Sequence, residues 1–471
     1  MEERKFDVKS IIGLLLISGV MIWMMFNNMD KEKEAIAKNE EQKQTEALAA
    51  QSQQLSETIS KVATDSTKLS ALQGTLGAFA YSATLPSAKE DVTEMTNGLL
   101  TLRFSNKGGY LTDVVLNENI HYATKQPIAL IKDGNSSLNM QIKTQDNRVL
   151  NTKDLFFEPT LTTEGENQVL AMRLKTSETA FLEYRYVLKP NEYMMDFGVR
   201  TQGLQSAINT AAPLNLEWQL KTFRNEKSVS YENRYTEVTY EYEGGNDDYL
   251  GQSSEDDATE KDVSYIVYKQ HFFTSILLTD TPFKTAELKS ENLVKDEKVD
   301  TIYTKNFISK LPLEFTNGEV NYGMNLYFGP SDYAKLKKYD RNLEESVSLG
   351  WGIFGWLNKF FFLPVFQFLA NFGIELGWAI FLLTIVVKLV LSPIMYKQYR
   401  QSAMMRILRP ELNEINEKNK GKDNAMKRQQ ATMELYRKAG VNPLSGCLPA
   451  LIQIPIFYAL FRFKAGFFSD A

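Results

Sequence analysis

Thr384, Lys388 and Ser392 recur at intervals of four within "AIFLLTIVVKLVLSP" (Ala379 to Pro393), a run otherwise suited to the interior of a lipid bilayer. In a helix this spacing puts a hydroxyl, an ammonium and a hydroxyl on one side. A charge at the centre of a spanning helix costs between ~3 and well over 10 kcal/mol, so it needs a reason. The uninterrupted apolar part, Leu376 to Val387, is twelve residues. That is ~18 Å of helix, too short to cross. Any crossing therefore takes Lys388 into the membrane. Two readings follow from the residues alone. Lys388 lies about 7.5 Å by helical rise from Pro393 and can stretch its stem towards the basic end. Alternatively, it is a functional cation in a wet cavity, where low dielectric makes it attract carboxylates strongly. No Asp or Glu in this helix is positioned to neutralise it.

The other chemistry-bearing residues exclude more than they offer. One cysteine, Cys447, and two histidines, His121 and His271, leave no disulfide framework, no tetrahedral metal cluster and no Cys/His catalytic pair. No glycine-rich nucleotide loop occurs, so ATP-driven chemistry has no support and no cofactor is expected. The balance of 53 Lys and Arg against 58 Asp and Glu argues against nucleic acid as a specific partner, and 471 residues allow two or more domains.

Charge is segregated along the chain. Residues 394 to 440 carry 11 Lys and Arg against 5 Asp and Glu, whereas residues 30 to 345 carry a net −13. Acidic and basic blocks separated by apolar segments are a topology signal. The first such segment is "IIGLLLISGVMIWMMF" (Ile11 to Phe26), preceded by Arg4, Lys5 and Lys9. It is read as an anchor over 11–29 following a short amino terminus, 1–10. A cleaved signal peptide fits less well, since the nearest small-x-small site, Ala35 to Ala37, lies about ten residues beyond the apolar core.

Residues 30 to 92 are rich in Ala, Gln, Glu, Ser, Thr and Lys and are expected to form a polar stalk without a core. Leu48, Leu55, Val62, Leu69 and Leu76 repeat every seven, but the companion seam is largely polar, half of what a coiled coil requires. From 93 to 330 the chain alternates short apolar runs with turn residues. "LLTLRF", "SNKGG", "YLTDVVL" reads as strand, glycine turn, strand, and "LEYRYVL", "KPN", "EYMMDFGV" repeats the scheme. One large antiparallel, all-β sandwich is expected. A connecting helix at 331–350 leads to "LGWGIFGWLNKFFFLPVFQFLANF". Its two Trp, seven Phe and interspersed Asn358, Lys359, Gln367 and Asn371 suit a helix lying in the interface over 351–372.

The span at 374–395 follows, then two charged helices joined at Gly421 and Lys422, a basic hairpin over 396–440 that includes Arg400, Arg406, Arg409, Lys427 and Arg428. A further span, 443–463, opens on Pro and Gly and contains Gln453, leaving 464–471 as a short end. By the positive-inside rule the hairpin is cytoplasmic, the sandwich outside and the amino terminus inside.

The segments "VVKLVLSPIMYKQY" (386–399), "MMRILRPELNEI" (404–415) and above all "YRKAGVNPLSGCLPALIQIPIF" (436–457) resemble the YidC/Oxa/Alb family of membrane protein insertases. "SNKGG" (105–109) and "YKQHFF" (268–273) look like the large outer domain of its Gram-negative form. The resemblance implies a multi-domain inner-membrane protein: a periplasmic β-supersandwich, a helical membrane core and a cytoplasmic helical hairpin. It implies a positively charged, hydrophilic groove open to cytoplasm and lipid, with the basic residue five before the proline, Lys388, at its centre and Thr384, Ser392 and Gln453 beside it. The implied partners are nascent membrane proteins, membrane lipids, and by family habit the Sec translocon and the ribosome. Two departures stand out. The family residue is most often arginine, whereas lysine is a point charge without the bidentate fork. The family also has five core spans after the outer domain, and this sequence shows two, so a fragment or spans supplied from elsewhere are both expected possibilities.

Other function classes fit less well. A secondary transporter needs many spans with internal repeats, and three occur here. A membrane-anchored periplasmic sugar-processing or sugar-binding protein would show a constellation of acids or histidines in the sandwich. His121 and His271 are far apart in sequence and no carboxylate pair stands out, so binding without catalysis is what that domain could offer.

Overall fold

The computed structural model describes residues 66–251, 254–347, 349–350, 352–420, 424–440 and 453–461. The expected anchor at 11–29 and most of the span at 443–463 lie outside these. Seventeen strands are found among the described residues, shared between two sheets. Together they form the large all-β sandwich expected, followed by a helical region. The chain divides into two compact units, each drawn from three separate segments.

The first unit comprises residues up to Val114, with Ile131–Gln219 and Ile308–Met324. The turn at "SNKGG" joins strands Leu100–Ser105 and Leu111–Ile120, with Leu100, Leu102 and Phe104 fully buried on alternate positions, as a half-buried strand requires. Gly108 and Gly109 have φ of 86° and 69°. A Cβ on Gly109 would meet the Phe157 ring at 2.8 Å, so the turn needs glycine for both conformation and space. Strands Glu158–Glu164, Asn167–Lys175, Phe181–Leu188 and Met194–Gln202 pair antiparallel in succession. Phe181–Leu188 is buried on both faces at almost every position. Its tyrosines carry polar ends into the core and satisfy them: Tyr184 Oη donates to Thr152 Oγ1 at 3.2 Å and Tyr186 Oη to the Gly109 carbonyl at 3.0 Å. Phe197 stacks on Tyr186 at 5.0 Å.

The same register assembles an ion triad. Glu183 faces Arg173 on one neighbouring strand and Arg200 on the other, and each arginine Nε lies 2.6 Å from a different carboxylate oxygen. Burial alone would raise the Glu183 pKa, but hydrogen bonds from Arg200 and Arg173 outweigh it and hold the carboxyl below its usual value.

The stalk expected at 30–92 is described only from Ser66, and from there it is not without a core. α1 (Ser66–Leu76) and α2 (Ala80–Ala83), with the turn between them, belong to this unit. Leu72, Leu76 and Phe79 are buried, each burial contributing about 1.5–3 kcal/mol. Arg148 donates twice to the Gly74 carbonyl, at 3.2 and 3.0 Å, and the Lys175 amide donates to Ser82 Oγ at 3.0 Å. The seven-residue recurrence ending at Leu76 therefore reports, at that end, a helix docked on strands.

The second unit takes Val115–Leu130, Leu220–Phe307 and everything from Asn325. Its spine is the long hairpin Glu255–Lys269 with Phe273–Asn292, turning at 270–272 within "YKQHFF". The strand Glu237–Tyr242 pairs with this hairpin and with Asn246–Leu250. α3 (Val229–Tyr235) starts at Ser228, whose hydroxyl accepts from the Tyr231 amide, and buries Glu232. Both Glu232 oxygens accept from the Asn225 amide at 3.0 Å, and one also accepts from Glu226. Burial nevertheless pushes its pKa up to about 7.

α4 (Tyr333–Lys337), capped by Asp332 accepting from the Lys335 amide at 2.8 Å, leads to α5 (Gly352–Leu357), a π-helical turn (Asn358–Phe362) and α6 (Leu363–Ala370). The wide turn precedes Pro364, which lacks the amide that would bond the Phe360 carbonyl and whose ring needs room there. α7 (Leu376–Ile407), α8 (Arg409–Lys418) and α9 (Ala425–Lys438) follow, and 453–461 is again helical.

Candidate substrate groove

α7 presents a buried row and a polar row. Ala379, Leu383 and Val387, four residues apart, are buried, and α7 packs on α6. Thr384, Lys388 and Ser392 form the next row, about 100° further round, and all three are exposed. Apolar neighbours are exposed beside them, Phe381 at 55% and Leu389 at 66%. Surface of this kind on a soluble protein invites aggregation, whereas lipid accepts it.

The two hydroxyls are engaged with their own helix. Thr384 Oγ1 donates to the Ile380 carbonyl at 2.9 Å, and Ser392 Oγ donates to the Leu389 carbonyl at 2.8 Å. Leu389 is the carbonyl that Pro393, with no amide hydrogen, leaves without its helical donor. Ser392 thus repairs the helix at its proline, and the row retains one side chain that makes no hydrogen bond or ion pair among the described residues, Lys388.

α7 is 32 residues and about 48 Å long, while a hydrocarbon core takes about 20 residues. The helix was expected to end near 395. Instead it continues to Ile407, carrying Arg400 and Arg406, both exposed. The break comes at Leu408 because Pro410 cannot donate to the Arg406 carbonyl, and Arg409 opens α8. Exposed Lys427 and half-buried Arg428 lie on α9, which packs with α8. Lys418 pairs with Glu414 and Lys438 with Glu434 along these helices, while Arg400, Arg406, Arg409, Lys427 and Arg428 are in no ion pair among the described residues. Gln453 is exposed at the start of the helix 453–461, and no described hydrogen bond joins it to Lys388. Tyr458 of that helix meets Phe354 of α5 with ring centroids 4.7 Å apart.

Sequence reasoning missed the joint that leads into these helices. Asn358, fully buried, donates to the Leu349 carbonyl at 2.6 Å, and Lys359 pairs with Glu345 at 2.6 Å. Gly350 has φ of 100°, and a Cβ on Gly355 would collide with the Gly350 carbonyl. The polar breaks at 358 and 359, set against three nearby glycines, were the available signal. Both histidines are structural: His121 Nδ1 accepts from the amides of Ala123 and Thr124, and His271 stacks on Tyr235 at 4.8 Å.

Residues 93–364 match the family model described as the YidC periplasmic domain, and residues 367–467 match that of the 60Kd inner membrane protein. A membrane protein insertase YidC of Parabacteroides distasonis is 35% identical over 477 residues, covering 97% of this chain and 74% of that relative. The chain belongs to the YidC family of membrane protein insertases. A second YidC, from Porphyromonas gingivalis, is likewise 35% identical, with coverage of 97% and 74%. The YidC family is one of inner-membrane proteins, and the sandwich is its periplasmic domain. Among solved structures, galactose 1-epimerase from Lactobacillus acidophilus is similar at a TM-score of 0.31 and 11% identity, covering 52% of this chain and 96% of that one, too distant to carry an argument about activity. Two helical stretches, Gly352–Leu369 and Gly377–Ile407, are long and apolar enough to cross a membrane by length and composition.

Proposed function

We propose that this insertase receives the polar, translocated segment of a nascent membrane protein along the Lys388 face of α7, while the client's apolar helix passes into lipid beside it. The observation that carries this reading is the exposure of Lys388 without a described acidic partner, on a row whose two hydroxyls are turned back onto the helix. A cation in low dielectric draws a carboxylate strongly, and a partly wet path shortens the distance over which polar groups are dry. Gln453 is a further groove residue, and the groove is closed on its outer side. α5 and α6 lie in the outer interface, where Trp356 and Phe368, 59% and 62% exposed, would meet lipid. The sandwich is periplasmic, and the hairpin, with arginines in no ion pair among the described residues, is cytoplasmic, where ribosome and Sec translocon contacts would occur. A photo-cross-linker placed at Thr384 or Ser392 in a full-length protein should capture the acidic tail of a stalled client. One placed at Val390, about 200° round from Lys388, should not. Equal capture at all three positions would overturn the assignment of the polar face.

A further inference from the structure

A basic hollow lies in the second unit, where the strands give way to helices. A cavity of about 500 Å³ lies between α4 and the π-turn region, within the roughly 300–1,000 Å³ typical of small-molecule sites. Lys337, Lys338 and Lys359 line it, its floor includes Phe360, Leu363 and Pro364, and no Asp or Glu is among its lining residues. The segment 331–345 holds four Lys and Arg against four Asp and Glu, yet none of its acidic residues lines the hollow. Lys359 is committed to Glu345 at 2.6 Å. Lys337 and Lys338 are exposed, with Lys337 Nζ 5.6 Å from the Tyr333 ring centroid, and neither is in an ion pair among the described residues.

We propose that this hollow binds the phosphate headgroup of an anionic phospholipid from the outer leaflet. Lys337 and Lys338 supply point charges for the phosphodiester, and their stems cover the apolar floor. The floor residues Phe360 and Leu363 belong to the same helical stretch that exposes Trp356, Phe368 and, just beyond it, Phe372, so an acyl chain leaving the hollow continues along apolar surface. A soluble anion would gain the charge but not this surface, and an acidic peptide would leave the aromatic floor unused. The site rests on the interfacial placement of α5 and α6 proposed above. Its consequence is a lipid that fixes the depth of the interfacial helix next to the joint at Asn358 and Gly355.

The test uses the full chain in nanodiscs of phosphatidylethanolamine doped with phosphatidylglycerol, with retained phosphatidylglycerol read by native mass spectrometry after detergent transfer. Helix depth is read separately by brominated-lipid quenching of a fluorophore at Phe368→Cys, in a Cys447→Ser background. The expected result is phosphatidylglycerol retention that falls roughly tenfold or more in the Lys337→Glu, Lys338→Glu double variant. The fluorophore should be quenched at interfacial depth in both proteins, and glycerophosphoglycerol, which lacks acyl chains, should compete poorly. Equal retention with normal quenching would remove the lipid site and leave the interfacial helix standing. Absent quenching would remove the placement and the site with it. Full competition by glycerophosphoglycerol would make the hollow a free-anion site and overturn the lipid assignment.

Discussion

Glu183 and Glu232 are both buried carboxyls, yet they respond to pH with opposite sign. Glu183 is held low by two arginines, so its contribution is complete above the unfolded carboxyl pKa and fades as pH falls through its native value. Glu232 is pushed up to about 7 by burial, above its ordinary 4.5, so its native form holds a proton that the unfolded form releases. Stability from this residue is therefore full below pH 4.5, declines as pH rises to about 7 and is flat above. Urea-unfolding midpoints of the outer domain across that window should fall for the wild type, and the slope should be largely lost in Glu232→Gln; an unchanged slope would place the titration elsewhere. Neither role was legible in the sequence, because the partners of Glu183 lie ten and seventeen positions away and are brought in by strand register. Lys388 was legible, since a charge inside an apolar run declares itself. The bonds of the hydroxyls beside it were not legible, because they depend on Pro393 and on helix geometry.

Among elements, the hairpins were legible wherever glycine or Asn punctuated alternating strands, and "SNKGG" shows how much one turn demands. Gly109 and Gly134 both have positive φ, but a Cβ on Gly109 meets Phe157 whereas nothing lies within 4 Å of one on Gly134. Gly134→Ala should cost about 1 kcal/mol from conformation alone. Gly109→Ala should cost about 3 kcal/mol or more, since the clash adds to it. Equal midpoints for the two in urea unfolding would show that Phe157 yields. α1 was hidden by its composition: Leu72 and Leu76 sit among Ser, Thr and Gln, and only the strands they dock on give them a core. The continuity of α7 was hidden for the reverse reason, because the composition turns polar after Pro393 while the backbone continues unbroken to the proline-imposed stop.

For the whole molecule, composition revealed a sandwich followed by a helical region with apolar helices, because these parts differ in bulk character. It could not reveal that the chain folds into two units of interleaved segments, since non-local pairing leaves no local mark. The topology is tested at Gln429→Cys on exposed α9, in a Cys447→Ser background. A membrane-impermeant thiol reagent should miss it in intact spheroplasts and reach it in inverted vesicles, and labelling in spheroplasts would reverse the orientation. In the proposed groove the Lys388 charge acts on the client rather than on the scaffold. The most direct measurement of this is the insertion rate of clients with graded acidic tails by full-length proteins carrying Lys388→Arg, Lys388→Leu or Lys388→Glu. Near-normal rates are expected for arginine, and for leucine and glutamate a loss that steepens with tail charge, while each variant itself integrates normally. Leucine favours the helix by ~3 kcal/mol on insertion scales, so an anchor role predicts no loss there. Wild-type rates for Lys388→Leu across the whole series would contradict the groove and leave Lys388 an interfacial anchor.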